Sequence, residues 1–448
     1  NRIKWKASIE AWSKLHEKAK VMWAAAVETV AHERPSGFVT RKLAAKRNKS
    51  AINAVKDPVT GAVVEEPEDI VKAVESFYSN LYKFKSTNAK ELQEMLKLWT
   101  PPNIDLSSFG ESIDIDEVKT AISQSKGDKS PGIDGIPSKV YKLMGEQSIN
   151  LLCKTFNDIM DKGYMPSEWK EGTIILIHKG GDSQDIGNYR PITLLNADYK
   201  ILCKVLANRM NVVITDIIPN YQIGFMPRRL LYDNVLMLDL LLQKKTKILN
   251  LDFRKAYDSV AHNSLFEILI HLGFPSRFVQ LVKTMIIGST ARVMVNGILT
   301  NKFAIQTGVK QGDPLSPLLF ALVVELLARC SEREDLKIHL PRLGDMLLAL
   351  LMYADDTCLA SLTSIGIDIW IECLDKLALA TGLKINVKKT FIINDKMSGR
   401  EIKELMNKYF RYLGFAFDQE SLAEDFSKQL EQSSKEISQH VARRMNMH

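Results

Sequence analysis

At 448 residues, 46% of them hydrophobic and 25% charged, the chain is too apolar to be disordered and long enough for roughly two to four packed units. A formal net charge of +7 and a pI near 8.9 suit a polyanionic partner without requiring one. Cys153, Cys203, Cys330, Cys358 and Cys373 stand far apart with no CxxC spacing, which suggests neither a zinc module nor a disulfide framework and favours a reducing, intracellular location.

The first residues, Asn1-Arg2-Ile3-Lys4-Trp5, carry no initiator Met, signal peptide or processing site, and read as a cut from a longer reading frame. From Trp5 to Glu33 the pattern is an amphipathic helix, with Trp5, Trp12, Leu15 and Trp23 at apolar positions. Packing on the main body explains it better than partner binding. The basic cluster Arg41, Lys42, Lys46, Arg47 and Lys49 fits a solvated helix face and a phosphate contact equally well. Pro58, Gly61 and Pro67 mark turns before a second helix through Phe77, Tyr78 and Tyr82, and Thr100-Pro101-Pro102 closes the region.

From Ile113 onward helices and strands alternate, as in an α+β domain. Residues 172–178 and 247–252 read as strands, and 318–329 as a helix with Pro317 in its first turn. The most apolar run, from Met346 to Tyr353, is too short to span a bilayer and reads as a buried strand. No membrane association is expected. Residues 347–353 and 357–361 look like two strands joined by a tight acidic turn. There is no internal repeat and no low-complexity segment.

That turn, Tyr353-Ala354-Asp355-Asp356, holds two adjacent carboxylates that repel each other and contribute nothing to a core. A divalent cation makes such a pair favourable, and hard carboxylate oxygens suit Mg²⁺. Taken alone, an ordinary acidic turn explains it as well. A second apolar strand, however, ends on Asp252 in Leu249-Asn250-Leu251-Asp252-Phe253. Three carboxylates brought together could bracket two metals for an in-line phosphoryl transfer. No Ser-His-Asp pattern, Walker loop or dinucleotide fingerprint competes with this reading.

Taken with Tyr257, Gln311-Gly312-Asp313-Pro314-Leu315-Ser316-Pro317 and Tyr353-Ala354-Asp355-Asp356, Asp252 resembles the palm motifs of reverse transcriptases, most closely those of non-LTR (LINE-type) retrotransposons. The resemblance extends upstream through Lys129-Ser130-Pro131-Gly132-Ile133-Asp134-Gly135-Ile136-Pro137, His178-Lys179-Gly180-Gly181-Asp182 and Asn188-Tyr189-Arg190-Pro191-Ile192. Downstream it takes in Gly382-Leu383-Lys384-Ile385-Asn386-Val387-Lys388-Lys389-Thr390 and Tyr412-Leu413-Gly414-Phe415. Several independent blocks in family order, from about residue 111 to residue 415, make the match specific.

The resemblance implies a right-hand polymerase fold. Its parts would be an N-terminal helical extension over 1–110, fingers with part of the palm over 111–250, a catalytic palm over 251–405, and a primer grip with the start of a truncated thumb over 406–448. It makes Asp252, Asp355 and Asp356 the catalytic carboxylates, holding two Mg²⁺ ions (Mn²⁺ as a substitute) with the carbonyl of Phe253. Tyr257 would sit beneath the incoming sugar and collide with a ribose 2′-hydroxyl, selecting dNTPs. Lys179 and Arg190 would close over the triphosphate, Arg190 through its bidentate guanidinium. Gln311 and Gly312 would meet nucleotide or template, and Lys389 rather than Lys388 the pyrophosphate. The segment Gln222-Ile223-Gly224-Phe225 with Arg228 and Arg229 would lie near the template, although a plain connecting loop explains it too. Tyr412, Leu413, Gly414 and Phe415 would grip the primer, with burial of Phe415 as core the rival reading.

Implied partners are an RNA template, a DNA primer and dNTPs; no protein partner is specified. In a LINE-type element the primer is nicked chromosomal DNA, which implies a nucleus. The sequence shows no endonuclease and no zinc knuckle, and the charged tail after Phe415 supplies at most the beginning of a thumb. Rival readings are a group II intron-type maturase, a viral RNA-dependent RNA polymerase, and a catalytically idle or domesticated nucleic-acid-binding protein.

Overall fold

A computed structural model describes residues 2–31, 51–127, 129–394, 403–404, 410–413 and 415–417. The basic cluster between residues 41 and 49, Gly414 and the tail beyond residue 417 lie outside the described residues. The chain divides into two compact units, one of residues 1–217, 255–323 and 379–382, the other of 218–254, 324–378 and 383–448.

In the first unit a mixed sheet runs in the order Tyr189–Leu194, Glu171–His178, Thr290–Val295, Ile298–Leu299, with Phe303–Ala304 also pairing on Thr290–Val295. The first pair is an antiparallel hairpin registered at Ile177–Arg190 and His178–Tyr189; the second is parallel. Helix Pro67–Leu81 starts where the sequence says it must, with Pro at its first turn followed by Glu68 and Asp69. Its Ile70, Ala73, Val74 and Tyr78 recur at three- and four-residue spacing, and this stripe packs on Ile174, Val293 and Val295 of the sheet. Arg209, on helix Ala197–Ile217, forks onto Glu117 through Nε at 2.6 Å and Nη2 at 2.7 Å. It also reaches the carbonyls of Ser108, Glu111 and Ser112, so one guanidinium ties three segments together.

The expected first helix spans Arg2–Ala31 and packs on helix Glu146–Lys162, where the Ser8 hydroxyl donates to Asp158. Trp12 is 2% exposed, and its indole N–H donates to Asp198 at 3.4 Å. One turn on, His16 Nε2 lies 3.1 Å from Asp134 and 3.7 Å from Asp198. Burial pushes the Asp198 carboxyl up to about 6, with His16 pulling the other way. Burial also works against a charged His16, but Asp134 and Asp198 prevail and raise it.

The second unit is built on a sheet ordered Leu350–Tyr353, Asp356–Ser361, Lys247–Leu251, Phe391–Ile393, Lys403–Glu404. Helix Leu231–Gln243 lays Val235, Leu238 and Leu241 against Ile248, Leu351, Cys358 and Ala360. The run from Met346 to Tyr353 is not one buried strand. Gly344, at φ +59°, turns the chain so that Met346–Leu347 pairs back on Arg342–Leu343, and Met346 is 48% exposed. Pairing in the main sheet begins only at Leu350. Among the described residues no helix is long and apolar enough to cross a membrane. All five cysteines are free thiols.

Asp198 yields a test by linkage. Its folded-state value lies above its unfolded one, so its contribution to stability is full at acid pH and is lost as pH rises through about 6. Asp198→Asn removes that loss. The fall in unfolding free energy of the wild type between about pH 4 and pH 8 is expected to exceed that of the variant by roughly 2 kcal/mol. Urea denaturation of both proteins across this range checks it; parallel curves would show that Asp198 does not titrate on unfolding.

Candidate active site

The three acidic positions belong to the second unit and gather at one end of its sheet. Leu251 ends one central strand opposite Thr357, so one step further along the same antiparallel register stand Asp252 and Asp356. Tyr353 pairs with Asp356 across a two-residue turn, Ala354-Asp355. Asp252 and Asp355 are half-buried and Asp356 is exposed.

Such a turn requires positive φ, and here a residue with a Cβ takes it: Ala354 has φ +57°. A left-handed alanine costs about 1 kcal/mol and needs support from outside. Gln222, fully buried, provides it. Its Oε1 accepts from Ala354 N at 2.9 Å and from Gly224 N at 3.0 Å. Backbone bonds from Met352 N to Tyr221 O (2.8 Å) and Ile223 N to Met352 O (2.9 Å) stitch the same loop to the strand before the turn. Gly224 is required for this approach, because a Cβ there would collide with the backbone of Ala354.

The loop is itself anchored. Arg229 donates to the carbonyls of Ile218 (2.6 Å), Pro219 (2.5 Å) and Gln222 (2.6 Å). The Tyr221 hydroxyl donates to buried Glu325, which also takes Arg329 Nη2 at 2.7 Å. Burial raises the Glu325 carboxyl to about 7 against the pull of Arg329. The segment from Gln222 to Arg229 is thus the brace of the acidic hairpin, a role that sequence reasoning missed although it singled the segment out.

Asp252 is held from the other side. Asn386 Nδ2 donates to its Oδ2 at 2.9 Å, Asn386 N to its carbonyl at 2.6 Å, and its own N–H to Thr390 Oγ1 at 3.4 Å. Phe253 is buried and bridges Ile385. Neither Asn386 nor Thr390 was given a role from sequence, since an Asn two residues after a Lys carries no signal of what it will touch. Lys389 lies in the turn that follows, exposed, with its N–H on Asn386 O at 2.9 Å.

Among the described residues no three His, Cys, Asp or Glu side chains close into a cage around an ion. Mg²⁺ in phosphoryl-transfer sites does not ask for one. It keeps waters and takes one or two carboxylates plus substrate phosphates. An open set of hard oxygen donors at a sheet end fits that demand.

The remaining expected residues lie mostly in the first unit. Lys179 and Arg190 are both exposed at the tip of the hairpin between Glu171–His178 and Tyr189–Leu194, with Lys179 N on Asn188 O at 2.9 Å. Under this tip, Lys255 Nζ donates to the carbonyls of Gly187 (2.7 Å) and Tyr189 (2.9 Å), a fixing contact not foreseen from sequence. Tyr257, half-buried, stacks its ring on Phe320 at 4.4 Å and 19°. Gln311 O accepts from Thr193 N at 2.7 Å, and its side-chain nitrogen donates to Asp258. Gly312, at φ +142°, is exposed and lies where a Cβ would strike the Thr193 carbonyl. Asp313, rather than Pro314 or Pro317, caps the following helix, accepting from Leu315 N at 2.9 Å and Ser316 N at 2.7 Å.

In the second unit, Phe410–Tyr412 and Phe415–Phe417 form an antiparallel pair, with Leu413 at φ +52°. Tyr412 is buried against Val235, Leu238 and Cys358, and its hydroxyl accepts from Asn234 Nδ2 at 3.4 Å. Its ring is therefore core. Gly414 lies outside the described residues.

A sheet end carrying paired carboxylates beside a third on the adjacent strand is the palm arrangement of a nucleic-acid polymerase. The chain belongs to the family "Reverse transcriptase (RNA-dependent DNA polymerase)", whose model matches residues 177–417. Its relatives are non-LTR retrotransposon proteins. It is 30% identical over 340 residues to the transposon TX1 uncharacterized 149 kDa protein of Xenopus laevis, covering 74% of this chain and 26% of that protein. It is 26% identical over 398 residues to the RNA-directed DNA polymerase from mobile element jockey of Drosophila melanogaster, covering 82% and 42% respectively. With the Pol polyprotein of type-2 retrotransposable element R2DM, also of Drosophila melanogaster, it shares 30% identity over 295 residues, covering 64% of this chain and 27% of that protein. The chain thus spans less than half the length of these relatives. It is of the non-LTR reverse transcriptase kind, with a polymerase fingers and palm fold.

Gln222→Leu keeps the volume and deletes the acceptor, leaving the N–H groups of Ala354 and Gly224 buried without it. It is expected to cost about 2–3 kcal/mol in chemical denaturation. Primer extension should fall by at least about tenfold, because the turn carrying Asp355 relaxes. Unchanged extension would mean that the turn holds its shape without Gln222.

Proposed function

We propose that this chain extends a DNA primer 3′-hydroxyl with dNTPs on an RNA template, in service of retrotransposition, by two-metal-ion chemistry at Asp252, Asp355 and Asp356. The observation that carries this reading is the sheet register that brings Asp252 and Asp356 to one end, with Asp355 in the braced turn beside them. Such a site has no need of a His, Cys or Lys nucleophile. Asp252 and Asp355, with the carbonyl of Phe253, would hold two Mg²⁺ ions, with Mn²⁺ as a substitute and Asp356 as the third carboxylate. Bound there, the ions supply charge stabilisation to the entering and leaving oxygens of the phosphoryl transfer. Asn386 spends its amide on Asp252 Oδ2, which fixes the carboxylate and leaves the other oxygen for coordination.

The residues of the first unit fall into supporting roles. Arg190 and Lys179, exposed cations on a hairpin tip, would bind the triphosphate. Tyr257 cannot swing freely, because Phe320 backs its ring. A rigid ring is what a steric gate against a 2′-hydroxyl needs. Gln311 and Gly312 offer a fixed amide and a surface without a side chain, suited to close approach by a base pair. Lys389 would steady the departing pyrophosphate. Leu413, Gly414 and Phe415 would support the primer, with Tyr412 as their anchor in the core.

The right-hand division follows the same reading: a helical N-terminal extension over 1–110, fingers over 111–250, palm over 251–405, and primer grip with the beginning of a thumb over 406–448. Work on chromosomal DNA would place the protein in the nucleus.

Primer extension on an RNA template tests the reading. Wild-type protein should extend with dNTPs in Mg²⁺ and discriminate against rNTPs. Asp355→Asn should lose about a hundredfold or more, with template binding retained. Tyr257→Val should raise rNTP use at least about tenfold while sparing dNTP use. Extension that survives Asp355→Asn would refute the carboxylate assignment. Unchanged sugar selectivity in Tyr257→Val would refute the gate.

A further inference from the structure

Asp258 follows the gate residue and takes no part in the roles assigned above. It is 1% exposed, on the short helix Ala256–Ser259. The Tyr82 hydroxyl donates to its Oδ1 at 2.7 Å, and Gln311 Nε2 reaches Oδ1 at 3.3 Å and Oδ2 at 3.1 Å. Its backbone is equally confined. Thr307 Oγ1 donates to its carbonyl at 3.1 Å, and a Cβ on Gly308 would come within 2.8 Å of its Cα. The Gln311 backbone is pinned independently through Thr193.

An ionised carboxylate only accepts hydrogen bonds, whereas a glutamine amide has a donating and an accepting end that differ little in shape. Beside Asp258 only one of its two orientations is favourable, with nitrogen inward and oxygen turned to the far side. We propose that Asp258, backed by Tyr82, is a positioning residue that fixes the orientation of the Gln311 amide, so that Gln311 presents an acceptor to the incoming nucleotide or its template base. The proposal rests on the reading of Gln311 as a nucleotide-facing residue. The ligand group it meets must then be a donor, an O–H or N–H.

The charged and titratable groups facing Asp258 are Tyr82 and Tyr78 on helix Pro67–Leu81 and its C-cap, Lys255 ahead of its own helix, and Lys179 on the hairpin. Burial outweighs Tyr82, Lys255, Gln311 and Lys179 and lifts Asp258 to about 6. Protonation would turn it into a donor as well, and either amide orientation would then be accepted.

Asp258→Asn has the same effect at constant volume. Single-nucleotide incorporation on an RNA template should show KM for the dNTP raised about tenfold, with kcat changed less than about threefold. The same substitution in a Gln311→Ala background should change KM by less than about twofold. In the wild type, KM should rise as pH falls through about 6, and the rise should be absent in Gln311→Ala. This pH series needs no Asp258 variant and stands if Asp258→Asn folds poorly. An equal effect of Asp258→Asn in both backgrounds would overturn the proposal, because Asp258 would then act through packing alone. A wild-type KM that is flat across this pH range would overturn it too. If Gln311→Ala itself leaves KM unchanged, the nucleotide-facing reading of Gln311 fails first, and the two failures are told apart.

Discussion

Adjacent carboxylates at the tip of a hairpin are unstable by their own repulsion, and everything around Asp355 and Asp356 answers to that. A flexible turn would let the two side chains move apart and point into water. Here the backbone of the turn is fixed, because the Ala354 N–H donates to the Gln222 amide oxygen, which holds Ala354 left-handed. Gln222 in turn is fixed by the backbone pairing of its neighbours, by Arg229 on the carbonyls around it, and by Tyr221 on Glu325. The pattern is that of a preorganised site, in which the cost of gathering like charges is met during folding.

The first unit uses the same logic with neutral groups. At Gln311 the backbone is fixed by one strand and the side chain by a buried acid. Gly308 and Gly312 allow chain segments to approach where a Cβ would collide. Lys255 does for the hairpin tip what Arg229 does for the brace in the other unit: a long, half-buried cation donates to carbonyls, and its charge positions backbone.

Much of this was legible in the sequence, for definable reasons. The strand at Lys247–Leu251, the helix at Ser316–Arg329 and the acidic hairpin follow from apolar runs bounded by turn residues, and the local pattern decides them. The run from Met346 to Tyr353 reads as one strand in sequence because hydrophobicity does not record a change of partner, from Arg342–Leu343 for Met346–Leu347 to Asp356–Ser361 for Leu350–Tyr353. Asp252, Asp355 and Asp356 could be nominated together only because ordered motifs resembled a family; nothing in their spacing says that they share a sheet end. What stayed hidden were the partners. Gln222 and Ala354 are 132 residues apart, Asn386 and Asp252 134, and Tyr82 and Asp258 176. Single polar side chains carry no mark of such distant partners.

Several buried titratable groups share a feature that argues against their being incidental. Asp258, Glu325 and Asp313 are buried carboxyls raised by desolvation, and Lys310, its Nζ 4.3 Å from the centre of the Tyr199 ring, is buried and lowered to about 8. Each works against stability, since apolar residues of similar volume often serve a core as well or better. A fold optimised for stability alone would shed them. Asp258 lies behind Gln311, Lys310 and Asp313 flank Gln311-Gly312 in sequence, and Glu325 lies behind the Gln222 brace. Asp258, Asp313 and Glu325 therefore do the one thing an apolar side chain cannot, which is to give a neighbouring amide, backbone N–H or hydroxyl a single permitted direction.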